Sequence, residues 1–207
     1  MNTVNKYYLV YKPYNMVSQF VSNDNVPLLD GLAFPFPAGT HAIGRLDKFS
    51  EGLLLMTTNK KITRKLFDPV KSHERVYLLL VKGRVSDATI RSLKEGIEIV
   101  IENGQLYHAR PKDVCISERP DFEFSVIEQA KIHGESTWLT MTLTEGKYHQ
   151  VRKMAAAAGH KCLKLIRFSI VDLTIAGICP GEVREISETA FFAGLGFETD
   201  DISSTHL

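Results

Sequence analysis

Apolar and polar residues along this chain fall into short blocks, and most of the blocks have the period of a strand. Tyr7 to Val10 is a β-prone run that stops at Lys12-Pro13-Tyr14-Asn15, where Pro13 and Asn15 mark a turn. Ser22 to Gly39 carries Pro27, Pro35 and Pro37 with little periodicity and reads as a loop-rich connection, with a brief helical turn at Leu28 to Leu32. Leu53 to Thr58, between Gly52 and Asn59, is a strand with at least one face in a core, and Arg75 to Val81 is strongly β-prone. Ile97 to Ile101 and Gln105 to Ala109 flank Asn103-Gly104, a tight-turn pair, and predict a hairpin. Trp138 to Leu143 alternates apolar residues with Thr, as a half-buried strand does, and Phe122 to Ile127 is its expected antiparallel partner across a turn at His133 to Ser136. Lys161 to Ile170 is a basic strand.

Three blocks have helical spacing instead. Lys60 to Phe67 sets Ile62 and Leu66 on one side and Lys60, Lys61, Arg64 and Lys65 on the other, and Pro69 ends it. Ser86 to Gly96 has Ser86 as N-cap, Ile90 and Leu93 on one face, and Gly96 as the stop. His149 to Gly159 runs through four alanines, the best helix formers, and closes at Gly159. This interleaving predicts an α+β fold, with a central, largely antiparallel sheet and helices on its outer side. Residues 1–190 are expected to form one domain of two sub-lobes sharing one sheet, and residues 191–207 a partly disordered tail, acidic and polar from Phe197.

Composition narrows the class. In 207 residues, 44% are apolar and 24% charged, which is ordinary for a globular protein able to build a core. The formal net charge is only +1, so a broadly basic nucleic-acid binder is excluded and any such contact must come from local patches. Cys115, Cys162 and Cys179 are scattered and odd in number, which suggests neither a disulfide framework nor a zinc site and fits a reducing cytoplasm. Met1 to Tyr7 has no apolar signal core, and no stretch has the length of a membrane span. The sequence has no Gly-rich phosphate loop and no metal-spaced His pair, so neither a cofactor nor a metal is expected.

The densest chemistry precedes the strand at Leu53. Arg45, Asp47, Lys48, Ser50 and Glu51 crowd charge onto a bend leading into a buried segment. Asp47 there is either a turn cap paired with Arg45 or Lys48, or a functional carboxylate held on a rigid support. A second centre lies at Thr144 to Gly159, where Thr144-Glu145-Gly146 turns the chain out of a strand. Lys147, His149, Gln150, Arg152 and Lys153 surround the start of the following helix, a natural place for a phosphate or simply a basic surface.

Gly44-Arg45-Leu46-Asp47-x-x-Ser50-x-Gly52-Leu53-Leu54-Leu55-x-Thr57 resembles the catalytic motif of the RNA pseudouridine synthases, and more narrowly of the RsuA/RluB/RluE/RluF group. Other segments resemble that group in the same order: Tyr-Lys-Pro-Tyr-Asn from Tyr11, the Arg75-x-Tyr77 strand, Glu145-Gly146 through Gln150-Val151-Arg152-x-Met154, Leu165-x-Arg167, and Pro180 to Ile186. The resemblance spans about Tyr8 to Ile186 and implies the synthase fold with an RNA-binding cleft. It implies isomerisation of a uridine in ribosomal RNA to pseudouridine, with Asp47 at the cleft floor as the essential carboxylate. It further implies that Arg152 pairs with Asp47, that Tyr77 stacks on the target base, and that Arg45 fills the space the base leaves. Extruding that base costs roughly a few kcal/mol, and stacking on an aromatic ring returns about 1–3 kcal/mol.

Contacts to RNA are expected from Lys12, Arg45, Lys147, His149, Gln150, Lys153 and Arg167, although Lys12 also reads as part of a structural turn and Arg167 as sheet packing. Tyr148, His149 and Lys153 depart from the group, which usually has Asn, Arg and Arg there; these changes bear on RNA contacts more than on chemistry. The start of the matching region within the first ten residues leaves no room for a small N-terminal RNA-binding module of the S4 type. That favours the short, RluE-like members acting on 23S RNA of the large subunit, as cytoplasmic monomers without a cofactor or metal. The competing reading is a non-catalytic RNA-binding or ribosome-assembly factor on the same fold.

Overall fold

The computed structural model describes residues 4–66, 73–125 and 134–197. The elements are β1 (Tyr7–Lys12), β2 (His41–Ile43), β3 (Glu51–Thr57), α1 (Ile62–Leu66), β4 (Arg75–Lys82), α2 (Asp87–Glu95), β5 (Ile97–Val100), β6 (Leu106–Ala109), β7 (Asp113–Ser117), β8 (Ser136–Leu143), α3 (Gln150–Ala157), β9 (Cys162–Ile170), β10 (Leu173–Thr174), β11 (Val183–Ile186) and α4 (Glu188–Gly194). A single-turn 3₁₀ helix at Leu29–Gly31 occupies the place of the brief helical turn expected at 28–32. The fold is α+β. It divides into two compact units, one of 1–73, 122–125 and 168–207, the other of 74–121 and 126–167, and the chain crosses between them within β9.

In the first unit β1 runs antiparallel to two partners. It pairs with β11 from Tyr7↔Ile186 to Val10↔Val183, and with β3 from Tyr7↔Thr57 to Lys12↔Gly52. Every residue of β3 is buried, as a near-continuous apolar run predicts for a strand covered on both faces. The period of two sends Tyr8, Val10, Leu54 and Met56 into one cluster with Met16, Leu29 and Leu32, against which Phe20, Phe34 and Phe36 pack. Tyr7 points to the opposite face, where its ring meets Phe191 and Phe192 of α4 at 4.7 and 5.7 Å. The expected tail from residue 191 is therefore not a tail at its start: Phe191, Phe192, Leu195 and Phe197 are buried, because α4 presents its aromatic residues to β1. Residues 198–207 lie outside the described residues, as does Pro69.

In the second unit β8 lies between β4 and β7, antiparallel to both, with Tyr77↔Met141 in one ladder and Val114↔Met141 in the other. The hairpin expected between β8 and Phe122 to Ile127 is corrected here. β8 takes Asp113–Ser117 as its partner, residues 122–125 are not strand, and 126 and 127 fall outside the described residues. Two elements follow their local signals closely. Ser86 Oγ accepts the Thr89 N–H at the start of α2, and Gly96 ends it at φ 108°, where a Cβ would lie 2.3 Å from His108 Nε2. β5 and β6 form the expected hairpin. The apolar faces of β4, β8, α2 and α3 share one cluster that includes Tyr77, Leu79, Leu93, Met141, Val151 and Met154.

Candidate active site

Asp47 sits in a tight turn between β2 and β3, held from both sides. Before it, Leu46 is buried and bound twice to Ser18: Leu46 N–H donates to Ser18 Oγ at 3.0 Å, and Ser18 Oγ–H donates to Leu46 O at 2.7 Å. After it, the Ser50 N–H donates to the Asp47 carbonyl at 3.0 Å, and both Ser50 and Glu51 are fully buried. Glu51 Oε2 accepts the Ser125 N–H at 3.0 Å. Gly52 follows at φ 105°, a backbone conformation that side chains resist. The sequence folds this way because the apolar run Leu53–Met56 drives β3 inward and leaves the polar bend at its mouth. Asp47 itself is partly exposed and Arg45 exposed.

Lys12, expected to touch RNA, ends β1 in this same unit and is placed otherwise. It is fully buried, and its ammonium donates to the carbonyls of Met16 at 2.7 Å and Pro13 at 3.0 Å. The cation ties the turn after β1 from the inside. A buried ammonium is tolerable only with such acceptors.

The second unit gathers the other expected residues. Tyr77 lies on β4, buried to 8% exposure, in the cluster shared with α3. Arg75 and Arg167 are also buried; burial first, and then the Arg167 guanidinium, lowers the pKa of Arg75, while Tyr77 acts in the opposite sense. Gln150, expected at the RNA surface, is instead 3% exposed and bonded within the chain. Its Oε1 accepts the Lys147 N–H at 2.9 Å, its own N–H donates to Lys147 O at 3.1 Å, and its Nε2 donates to Glu145 Oε1 at 2.7 Å. Glu145 Oε2 in turn accepts the Tyr107 hydroxyl at 2.5 Å, a bond that, ahead of burial, pushes the tyrosine pKa up to about 12. The buried glutamine therefore shapes the turn that opens α3.

That turn displays its cations outward. His149 takes the left-handed conformation, φ 55° and ψ 26°, at the N-cap of α3. Its ring stacks on Tyr148 at 3.8 Å and 18°, with Lys153 Nζ 5.1 Å from the Tyr148 centroid. Lys147 is exposed, its Nζ 5.1 Å from the Tyr107 ring. One turn into α3, Arg152 lines a concavity of about 420 Å³ with Ala156, Gly159, His160, Lys161 and Cys162. Burial pushes the Cys162 thiol up to about 11, against the opposing pull of Arg152, so it is a poor nucleophile at neutral pH. No group of three or more His, Cys, Asp or Glu side chains able to hold a metal occurs among the described residues, and no described helix is long and apolar enough to cross a membrane. The structural turn that Lys12 also suggests is the role its bonds show, whereas the structural use of Gln150 was missed, because a polar side chain in a motif reads alike whether it faces a ligand or its own backbone.

The family model described as RNA pseudouridylate synthase matches residues 6–157, a span that contains Asp47, Tyr77 and Arg152. The chain belongs to this family. It is 30% identical to the ribosomal large subunit pseudouridine synthase E of Vibrio parahaemolyticus over 84% of this chain and 71% of that protein. A protein of the same name from Xanthomonas campestris is also 30% identical, over 85% and 92% of the respective chains. The ribosomal small subunit pseudouridine synthase A of Yersinia pestis is equally similar, 30% over 88% and 69%. Among solved structures, a pseudouridylate synthase crystal structure superposes with a TM-score of 0.68 at 25% identity, covering 90% of this synthase and 72% of that chain. The human RNA pseudouridylate synthase domain containing 1 shares the fold at a TM-score of 0.55 and 16% identity. The synthase is thus an RNA-modifying isomerase of the RsuA/RluB/RluE group.

Proposed function

We propose that this chain converts one uridine of large-subunit ribosomal RNA to pseudouridine, with Asp47 as the catalytic carboxylate, working as a cytoplasmic monomer. The observation that carries this reading is the placement of Asp47: a partly exposed carboxylate on a turn anchored at both ends, within the span matched by the family model. The names of the relatives support ribosomal RNA, and the two large-subunit matches support that subunit.

In the reaction the N1–C1′ bond of the nucleotide breaks, the uracil turns, and a C5–C1′ bond forms. The C5 proton is lost to solvent and N1 gains one, so no water is added and no electrons change hands. Asp47 acts either as a nucleophile at C1′ or as a base on the ribose leading through a glycal. Both routes use the ionised carboxylate. Arg152, by resemblance, is the cation that keeps it ionised and oriented, and Tyr77 stacks on the extruded uracil. Arg45 occupies the gap left in the RNA stack.

The test is a pseudouridine map of ribosomal RNA from cells carrying the wild-type chain or Asp47→Ala. One 23S site is expected to vanish in the variant. In vitro, RNA labelled with tritium at C5 of uridine should release tritium with the wild-type protein and at least about a thousandfold more slowly with Asp47→Asn. Full modification of every site in Asp47→Ala cells overturns the assignment.

A further inference from the structure

Two residues after Asp47, the turn exposes a large aromatic side chain that the chemistry above leaves unused. Phe49 is 52% exposed, and its ring lies 5.7 Å from that of Tyr14, itself 41% exposed, at an interplanar angle of 39°. Lys48 Nζ is 5.5 Å from the Phe49 centroid. All three belong to the first unit. The same hydrogen bonds that fix Asp47 fix Phe49, since it occupies the corner of the turn closed by Ser50 N–H on Asp47 O. Tyr14 is held in turn by its N–H donating to Ser125 Oγ at 3.3 Å, and Ser125 N–H binds the buried Glu51.

An exposed phenylalanine beside an exposed tyrosine leaves apolar surface in water, which a partner that covers it would remove at a gain. Among soluble partners, an unpaired nucleobase matches the set: its π-face suits the two rings, and its phosphate suits the ammonium beside them. We propose that Tyr14 and Phe49 form a stacking platform for an unpaired base of the substrate RNA close to the modified uridine, with Lys48 pairing a phosphate of that strand. The proposal rests on the reading of this chain as an RNA modification enzyme. It adds an RNA contact at the catalytic turn to those expected from Arg45 and the second unit, and it makes Phe49 a determinant of which loop is accepted.

Binding of a fluorescein-labelled nine-nucleotide oligouridylate separates the two ideas, because no turnover is needed. Phe49→Ala and Phe49→Leu should each weaken it by roughly five- to a hundredfold, the range of one lost base stack. Phe49→Trp should bind as well as wild type, and its added emission should be quenched by the oligonucleotide beyond any change of Trp138. Lys48→Gln should lower the salt dependence by about one phosphate contact. On ribosomal RNA, Phe49→Ala should raise KM and leave kcat within about twofold. Unchanged affinity in Phe49→Ala, or wild-type affinity in Phe49→Leu, overturns the platform. A wild-type chain that forms no pseudouridine in any ribosomal RNA while the Phe49 effect on oligouridylate persists overturns the proposed reaction and supports the platform.

Discussion

Two turns carry the chemistry-bearing residues, and they are built on opposite principles. The turn at 44–51 is held by burial and backbone. Leu46 and Ser50 are driven inside, Ser18 binds both polar atoms of the Leu46 backbone, and Gly52 supplies a conformation no side chain favours. The turn at 144–149 is held by side chains, through the chain of bonds from Tyr107 to Glu145 to Gln150 to the Lys147 backbone. The first arrangement closes on backbone bonds and the Ser18 hydroxyl, with the buried Glu51 accepting the Ser125 N–H, and positions one carboxylate rigidly. The second is held through the Glu145 side chain and carries several cations at the start of α3. Fixing by buried backbone suits a group that reacts, and a cluster of cations at a helix start suits binding of a polyanion.

Substitutions at the hinges sharpen this contrast, beginning with the largest effect. Gly52→Ala forces a side chain onto φ 105° within a buried strand and should cost about 3 kcal/mol in denaturant unfolding. Because Asp47 rides on that strand, kcat should fall tenfold or more, with KM little changed. Gln150→Ala removes the centre of the second turn and leaves the Lys147 N–H without its partner, at a cost of about 2 kcal/mol. Here the kinetic loss should appear in KM for ribosomal RNA; an effect confined to kcat would break the comparison.

Ser18→Ala should cost about 1–2 kcal/mol, since the buried Leu46 N–H loses its acceptor. Thermal melts and turnover of the same samples test whether its loss, like that of Gly52→Ala, falls on kcat. The smallest effect is one of pH. Hydrogen bonding to Glu145 raises the Tyr107 pKa from 10.0 to about 12 in the folded chain. A raised folded pKa means the contribution is complete below pH 10 and is lost as pH rises toward about 12. Unfolding midpoints of wild type and Tyr107→Phe should differ below pH 10 and converge across that window. Ser18→Ala should show no such convergence.

Much of the fold was legible in the chain. The apolar run of β3, the Asn103-Gly104 hairpin, the Ser86 and Gly96 caps and the alanine-rich α3 are local signals, and each formed where its residues predicted. The partner of β8 was not legible, because strand pairing is a non-local choice and Asp113–Ser117 carries little alternation. The burial of Phe191 and Phe192 depends on a non-local contact that the local pattern does not carry; the ring of Tyr7, far away in the chain, gives α4 a reason to dock. At the site, the motif points to Asp47, while Gln150, expected to face RNA, is buried, and the burial of Lys12 fits the structural turn that its neighbours suggest. The exposure of Phe49 occupies a position that the motif leaves unspecified, so nothing in the pattern drew notice to it.

The first unit is sewn from both ends of the described chain: β1 needs β11 on one edge, and Tyr7 needs α4, whose Glu188 accepts its hydroxyl at 2.5 Å. Translation delivers these pieces far apart in time. β1 and β3 leave the ribosome early with one edge and one aromatic face uncovered, and every strand of the β4–β8–β7 ladder emerges before β11 does. The nascent protein therefore waits, half-clothed, until Val183 to Gly194 has emerged, and a premature stop before that segment strands an exposed tyrosine-rich edge that chaperones or proteases will find first.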